Sequence, residues 1–145
     1  MVLSRSKAKL YDPIRCNWVA ATPEELVRQK LIYTMLHDLG FPKQLISIEK
    51  KISELPGVDM RSIDLKRRYD ILCFIKDKAT LAPLLLIECK EYHPDKKARL
   101  QAIGYNHFVK APFVAVAGPN STELIYPSYH NALPSYSELC EALCN

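Results

Sequence analysis

The stretch Leu84-Leu85-Leu86-Ile87-Glu88-Cys89-Lys90 decides the fold of this chain. It is apolar without interruption up to Ile87, which is typical of a central strand whose two faces are both covered by helices. Because side chains alternate along a strand, Glu88 and Lys90 share one face, with their Cα atoms about 7 Å apart. A carboxylate that emerges from a buried strand needs a cation, a metal ion or a proton. The stretch therefore predicts a charged site at the end of a central strand.

Strands and helices alternate on both sides of this stretch. The other predicted strands cover residues 46–52, 68–75, 113–117 and 122–126. Helices are predicted at residues 22–39, 95–109 and 135–143. In the second helix, Leu100, Ile103 and Phe108 are expected to face the core. The order α-β-β-β-α-β-β-α predicts an α/β sandwich with a central mixed sheet flanked by helices. The first three strands can form an antiparallel meander, and the helix crossover makes the third and fourth strands parallel neighbours or separates them by one strand.

Length and composition fit a single globular domain. The chain has 145 residues, of which 48% are hydrophobic and 25% charged, and this argues against global disorder. We expect an extended N-terminal arm at residues 1–21 and one domain at residues 22–145. No apolar run approaches the roughly 20 residues that cross a bilayer, and the start lacks a secretory signal, so we expect a cytoplasmic protein without a membrane partner. The formal charge of +4 supports a nucleic-acid partner only weakly.

The first predicted helix carries a charged pair on its inward face. Thr22 is a suitable N-cap, and Glu25 completes a capping box with it. At about 100° per residue, Glu24 and Arg28 fall on the same stripe as Leu31. A charged pair on the core-facing side costs desolvation free energy, so this pair needs a structural or functional reason.

An acidic residue in the preceding strand completes a candidate metal site. If the second and third strands pair antiparallel, Asp70 lies beside Glu88, and two carboxylates without a cation between them repel each other. A hard cation removes this repulsion, and Mg²⁺ prefers oxygen ligands. A metal ion can activate water for phosphodiester hydrolysis, and the ammonium of Lys90 can position that water. The alternative is a structural salt-bridge cluster, because D…E-x-K spacing also occurs by chance.

Four stretches of the chain resemble, in order and spacing, the N-terminal nuclease domain of type I restriction enzyme R subunits. They are YDPIR…WVAATPEELVRQ, LKRRYDILCF, PLLLIECK and QAIGYN…APFVAVA, and together they span roughly residues 11–126. The chain is most similar to the short, stand-alone members of that family. The resemblance implies a restriction-endonuclease-like αβββαβ fold and a PD-(D/E)xK site that uses Mg²⁺, for which Mn²⁺ can substitute.

The resemblance also assigns roles to individual residues. Asp70 matches the family's metal-binding aspartate, and Glu88 and Lys90 match the acid and the lysine of its E-x-K element. Glu24 matches the first-helix acid that can reach the metal through water; Glu25 is its rival, which we interpret as a cap. Catalysis is thus expected from Asp70, Glu88, Lys90 and Glu24, with Asp70 and Glu88 as the metal ligands.

Basic residues and two polar helix residues are the candidate DNA contacts. Gln101 and Tyr105 match the family's Q-x-x-x-Y helix near the site, although an ordinary polar helix pair is an equal alternative. Phosphate contacts are expected from six clustered basic residues, namely Lys66, Arg67, Arg68, Lys96, Lys97 and Arg99. Tyr69 stands where a proline often precedes the aspartate, and residues 117–120 depart from the Thr-Asn-Gly that relatives tend to carry there.

The sequence favours a Mg²⁺-dependent DNA nuclease. The alternative is a nucleic-acid-binding module on a nuclease fold that is non-catalytic or cuts only within a complex. Expected partners are DNA and other restriction or repair subunits, and a homodimer is left open. The sequence contains no G-x-x-x-x-G-K-[ST] loop, so we expect no ATP-driven translocation from this chain itself.

Overall fold

The computed structural model describes residues 3–4, 8–51, 54–55 and 68–144. Its strands are β1 (Leu3–Ser4), β2 (Lys9–Asp12), β3 (Asn17–Ala20), β4 (Ile46–Ile48), β5 (Ile71–Asp77), β6 (Thr80–Cys89), β7 (Phe113–Ala117) and β8 (Thr122–Tyr126). Its helices are α1 (Pro23–His37), α2 (Lys96–Val109) and α3 (Tyr136–Cys144), and a short 3₁₀ turn covers Lys43–Leu45. Within these described residues, no helix is both long and apolar enough to cross a lipid bilayer.

A five-stranded mixed sheet forms the centre of the fold. Its strand order is β4-β5-β6-β7-β8, and β6 pairs parallel with β7 while the other neighbours are antiparallel. The residues of β6 from Leu84 to Cys89 are all buried, so the long apolar stretch is indeed the central strand. The predicted meander, the helix crossover and the α/β fold class are therefore confirmed.

Helices cover the sheet on both faces. Ile32 and Met35 of α1 pack in one apolar cluster with Ile87 of β6 and Leu139 of α3. On the opposite face, Leu86 packs in a second cluster that includes Val109 of α2. Each fully buried aliphatic side chain of this kind contributes about 1.5–3 kcal/mol to folding. The alternation along β6 thus assigns α1 and α3 to one face of the sheet and α2 to the other.

Capping side chains fix where the helices begin. Thr22 accepts a hydrogen bond from the backbone N–H of Glu25 at 3.2 Å, which confirms the predicted start of α1. The carboxylate of Asp95 accepts from the N–H of Ala98 at 2.9 Å and begins α2 directly after the loop that leaves β6. At the start of α3, residues 135 and 138 form a reciprocal capping box.

Two details of the predicted elements are wrong. Leu100 was expected to face the core, but its side chain is 62% exposed, because the buried residues of α2 are Ala98, Ala102 and Val109. Position 100 lies about 200° around the helix from position 98, on the opposite face. In addition, β5 begins at Ile71 rather than at residue 68, so Asp70 lies in a bend just before the strand.

The segment at residues 1–21, expected as an extended arm, contains the three strands β1, β2 and β3, which form a separate antiparallel sheet. Leu10 and Asp12 of β2 are fully buried. The carboxylate of Asp12 accepts hydrogen bonds from the backbone N–H groups of Ile14 and Arg15, at 2.7 and 3.1 Å. This turn directs the Arg15 side chain toward α1 and the end of β4.

Candidate metal centre

Asp70 is the acid around which the candidate site is organised. Its Oδ2 accepts a hydrogen bond from the backbone N–H of Cys89, at the end of β6, at 2.7 Å. Its Oδ1 accepts from Nη2 of Arg28 in α1 at 2.9 Å. The side chain is only 13% exposed. One carboxylate therefore joins the first helix to the end of the central strand, and its orientation is fixed by bonds to both.

Glu88 lies beside Asp70, as the antiparallel pairing of β5 and β6 predicts. Burial, the charge of Asp70 and a hydrogen bond with that carboxylate raise the pKa of Glu88 well above its ordinary value, and the charge of Lys90 opposes this shift. The residue is 5% exposed, and its Oε1 has no hydrogen-bond partner among the described residues. A buried carboxyl oxygen without a partner requires an explanation such as an absent ion or water.

Glu24 and Glu49 bring two further carboxylates to Asp70. One oxygen from each of these three residues lies within 4.8 Å of the other two, an arrangement that can hold a metal ion. Burial and the neighbouring charge of Asp70 raise the pKa of Glu24 to about 7. The family resemblance predicted Glu24 for this site, and the place of Glu24 on the inward stripe of α1 agrees with that prediction.

Glu49 is a site residue that the sequence reasoning missed. The alternation after Ile46 places Glu49 with Ser47 on the polar side of a strand, which is typical of a solvated residue. In the structure β4 ends at Ile48, and Glu49 has a backbone φ of 50°, in the left-handed region. The strand alternation therefore stops before Glu49, and no pattern in the sequence marks this change.

Arg28 lies among the acids and makes ion pairs with four of them. Its Nη2 donates to Glu24 Oε1 at 3.2 Å, to Glu49 Oε1 at 3.1 Å and to Asp70 Oδ1 at 2.9 Å. Its Nη1 lies 2.9 Å from Glu25 Oε1. The side chain is 2% exposed, and although burial lowers the pKa of Arg28, the surrounding carboxylates, Asp70 first, raise it above its ordinary value. These pairs explain why α1 carries charge on its inward face.

A second arginine extends this network to the N-terminal sheet. Glu25 was interpreted as a helix cap, but its carboxylate instead pairs with both Arg28 and Arg15. Arg15 also pairs with Asp12 and, through Nη1, lies 3.2 Å from Glu49 Oε2. The interpretation of Glu25 as a cap is therefore wrong for its side chain, because a buried cation competes more strongly for a carboxylate than one backbone N–H.

Lys90 is linked to the two predicted residues of α2. Its Nζ donates to Gln101 Oε1 at 2.8 Å, and Gln101 Nε2 donates to the hydroxyl of Tyr105 at 3.2 Å. The positive charge of Lys90 lowers the pKa of both Glu24 and Glu88, so the ammonium lies within electrostatic reach of the acids. The structure thus brings Lys90 to the site while a hydrogen bond from α2 determines its position.

The structure describes four of the six residues that were predicted to contact phosphates. Lys66 and Arg67 lie outside the described residues. Arg68 is exposed and donates to the backbone carbonyl of Glu49 at 3.3 Å, which places it next to the acid cluster. Lys96 and Lys97 are exposed in the first turn of α2.

Arg99 is engaged within the fold rather than directed to solvent alone. Its Nη1 donates to the carbonyl of Pro94 at 3.3 Å and lies 3.8 Å from Glu123 Oε2 in β8. The guanidinium therefore joins the start of α2 to the edge of the sheet.

The family of the chain follows from a match along most of its length. A family model described as Type I restriction enzyme R protein N terminus (HSDR_N) matches residues 23–138. The chain belongs to this family. The match runs from the first residue of α1 into α3, so the matched region contains Asp70, Lys90 and the three acids around Asp70, which are Glu24, Glu49 and Glu88. The resemblance noted in the sequence is therefore confirmed.

A solved structure supports the same fold. The chain is similar to a fragment of a protein described as an HsdR subunit of a type I restriction enzyme from Vibrio vulnificus YJ016. The two are 16% identical, with a TM-score of 0.55 over 83% of this chain and 25% of the other. This chain thus spans about a quarter of the length of the other. No curated protein sequence matches it.

Proposed function

We propose that the chain is a Mg²⁺-dependent nuclease domain that hydrolyses DNA phosphodiester bonds. One observation carries the proposal: Glu88, buried at the end of β6, lies beside Asp70 and has a carboxyl oxygen without a partner. Such a pair of acids is poorly stabilised by the fold alone, since ionising both of them in a dehydrated place costs free energy. A divalent cation would relieve that cost.

The donor set fits a hard divalent ion. The ligands available are carboxylate oxygens, which both Mg²⁺ and Mn²⁺ accept. Asp70 and Glu88 would hold the ion, and Glu24 would reach it through water. A bound ion of this kind would polarise a phosphoryl oxygen of the substrate and would lower the pKa of a bound water.

The balance of charge supports the same conclusion. In the described part of the chain, the carboxyl groups of this network outnumber the cations near them. The carboxyl groups belong to Asp12, Glu24, Glu25, Glu49, Asp70 and Glu88, and the cations belong to Arg15, Arg28 and Lys90. Without a further cation, this excess of carboxyl groups favours the protonated forms of Glu24 and Glu88, whose pKa values are raised.

The other residues of the site have roles that need no metal. The ammonium of Lys90, held by Gln101, would stabilise the negative charge that develops on the phosphoryl group during attack by water. Arg68, Lys96 and Lys97 would contact phosphates of the DNA backbone without reading its bases. Membership in the R protein family supports a restriction-enzyme context, and we extend the proposal to an association with other restriction subunits.

A second candidate function is a DNA-binding module that does not cut alone. The observation that favours it is Arg28, which already pairs with Glu24, Glu49 and Asp70 from a fully buried position. If these ion pairs were sufficient to stabilise the three acids, the acids would form a structural cluster and Mg²⁺ would not be required.

Cleavage of plasmid DNA distinguishes the two candidates. The purified chain is incubated with Mg²⁺, Mn²⁺ or a chelator, beside Lys90→Ala, Glu88→Gln and the control Lys76→Ala. Lys76 is exposed and lies toward the β5–β6 turn, away from the strand ends that carry the acids. We expect metal-dependent cleavage that Lys90→Ala lowers by about a hundredfold or more and that the control retains. Equal cleavage by Lys90→Ala would refute the proposal, and DNA binding without cleavage under any condition would favour the second candidate.

A further inference from the structure

Nη2 of Arg28 occupies the centre of a pocket made by three carboxylates. It lies 3.2 Å from Glu24 Oε1, 3.1 Å from Glu49 Oε1 and 2.9 Å from Asp70 Oδ1. These three residues are also the ones whose oxygens converge closely enough to hold a metal ion. The place that the acids offer to a cation is therefore already filled by a cation of the chain itself.

We infer that Arg28 is a resident cation that excludes a divalent ion from the Glu24–Glu49–Asp70 pocket and confines metal binding to the side of Asp70 that faces Glu88. The chain would then bind a single divalent ion, with the guanidinium supplying the positive charge of a second one. The inference rests on the proposed function in one respect, since it takes Asp70 and Glu88 as the ligands of that ion.

The surroundings of Arg28 explain why an ion from solution would not displace it. The side chain is 2% exposed, and its Nη1 pairs with Glu25 at 2.9 Å. Glu25 is in turn held by Arg15, which also pairs with Glu49. Moving the guanidinium out would leave the largely buried Asp70 with only the N–H of Cys89 as a partner and would leave the buried Glu25 with Arg15 as its one cation. Removing a cation from a buried carboxylate is strongly unfavourable.

An independent observation indicates where a divalent ion can still bind. Oε1 of Glu88 is buried without a hydrogen-bond partner, and no ion pair between Glu88 and Arg28 is found among the described residues. Asp70 offers Oδ1 to Arg28 and Oδ2 to the N–H of Cys89, and each carboxylate oxygen can accept more than one bond. Asp70 is thus the carboxylate that the guanidinium and the ion would share.

Removal of the guanidinium should create a second ion site. In Arg28→Gln the side chain is neutral, so Glu24, Glu49 and Asp70 lose their shared cation while their oxygens stay close together. We expect calorimetric titration with Mn²⁺ alone to give one ion per chain for the natural sequence and two for Arg28→Gln. Adding Glu49→Gln to that variant should return the number to one, because the new site loses a ligand. Arg28→Lys should also bind one ion, because it keeps a positive charge in the pocket.

A second measurement covers the case in which Arg28→Gln does not fold. In the otherwise natural chain, Glu49 contacts Arg28 and Arg15 rather than the ion, so Glu49→Gln should change the affinity for Mn²⁺ only slightly. A loss of about tenfold or more, as expected when a group that holds or orients a metal is removed, would overturn the inference.

The stoichiometries separate this inference from the proposed function. Two ions bound by the natural chain, or no additional ion in a folded Arg28→Gln variant, would overturn the inference. If the natural chain bound no Mn²⁺ while Arg28→Gln bound one, the proposed metal site of Asp70 and Glu88 would fail, and the role of Arg28 as the resident cation would be supported.

Discussion

In the folded chain the carboxyl groups of Glu24 and Glu88 both lie beside the Asp70 carboxylate. Burial, followed by the charge of Asp70, raises the pKa of Glu24 from 4.5 to about 7 and raises the pKa of Glu88 well above 4.5. The folded chain therefore holds protons that the unfolded chain releases. The stability that these two groups contribute is fully present below their unfolded pKa and is lost as the pH rises through their folded pKa.

This linkage predicts that the metal-free chain becomes less stable as the pH rises. With a chelator present, we expect the melting temperature to fall as the pH rises from about 4.5 through about 7, the interval between the ordinary and the folded pKa of Glu24. Glu88→Gln should make that fall smaller, because the pKa of Glu88 is also raised. Glu141→Gln, at an exposed position of α3, is the matched control and should leave the fall unchanged. An equal fall in Glu88→Gln and in the natural chain would contradict the assignment of the raised pKa to Glu88.

At the scale of single residues, the sequence predicted the acids that regular elements position. Helical periodicity predicted that Glu24 points inward, and the family resemblance assigned it to the site. The adjacency of Asp70 and Glu88 follows from the antiparallel pairing of two strands. Glu49 could not be predicted, because a left-handed backbone conformation at that position interrupts the alternation that sequence patterns describe. Arg15 could not be predicted either, because its contacts with Glu25 and Glu49 arise from the packing of a separate sheet.

Among the elements, the loop after β7 packs closely against the loop that leaves β6. A Cβ atom added at Gly118 would lie 2.7 Å from Cδ of Pro94 and 2.9 Å from the carbonyl oxygen of Tyr92. Gly118 belongs to the stretch that departs from the family pattern, and its contact explains why a residue without a side chain fits there. The loop from β6 leads from Lys90 to α2, so this contact also supports the site.

We expect Gly118→Ala to lower the free energy of unfolding by about 1–3 kcal/mol, because the new methyl group meets backbone that cannot move freely. Gly104→Ala is the matched control: it lies within α2, nothing lies within 4 Å of its added Cβ, and it should stabilise the chain by about 0.5–1 kcal/mol. Urea denaturation of both variants measures the two effects. A Gly118→Ala variant as stable as the natural chain would show that the two loops separate without cost.

The elements themselves were predictable to different degrees. Continuous apolar runs identified β6 and β7, since only central strands of a covered sheet are apolar on both faces. The inward face of α2 was harder to predict, because Leu100 is more hydrophobic than Ala98 and Ala102, yet the small residues allow the helix to approach the sheet. Ile103 and Phe108 pack against the buried clusters as predicted, and only Leu100 was assigned to the wrong face.

For the whole molecule, the exposed basic residues in the first turn of α2 predict how DNA binding depends on salt. Replacing both Lys96 and Lys97 with alanine should weaken DNA binding and reduce the slope of log affinity against log salt by about two, one for each lost phosphate contact. The control variant replaces the exposed Lys43 and Lys76 and should keep the slope of the natural chain. Fluorescence anisotropy with labelled DNA over a range of salt concentrations makes the comparison. Identical slopes for both variants would show that the first turn of α2 is not part of the DNA-binding surface of the protein.

The ion pairs of Arg15 have a practical consequence for anyone who shortens this protein. A boundary drawn just before α1 looks natural, because the helix, the five-stranded sheet and the candidate acids all follow it. Such a truncation would nevertheless take away a positive charge that Glu25 and Glu49 both use. The first twenty residues should therefore be kept in any expression clone meant to report on the chemistry of the acids.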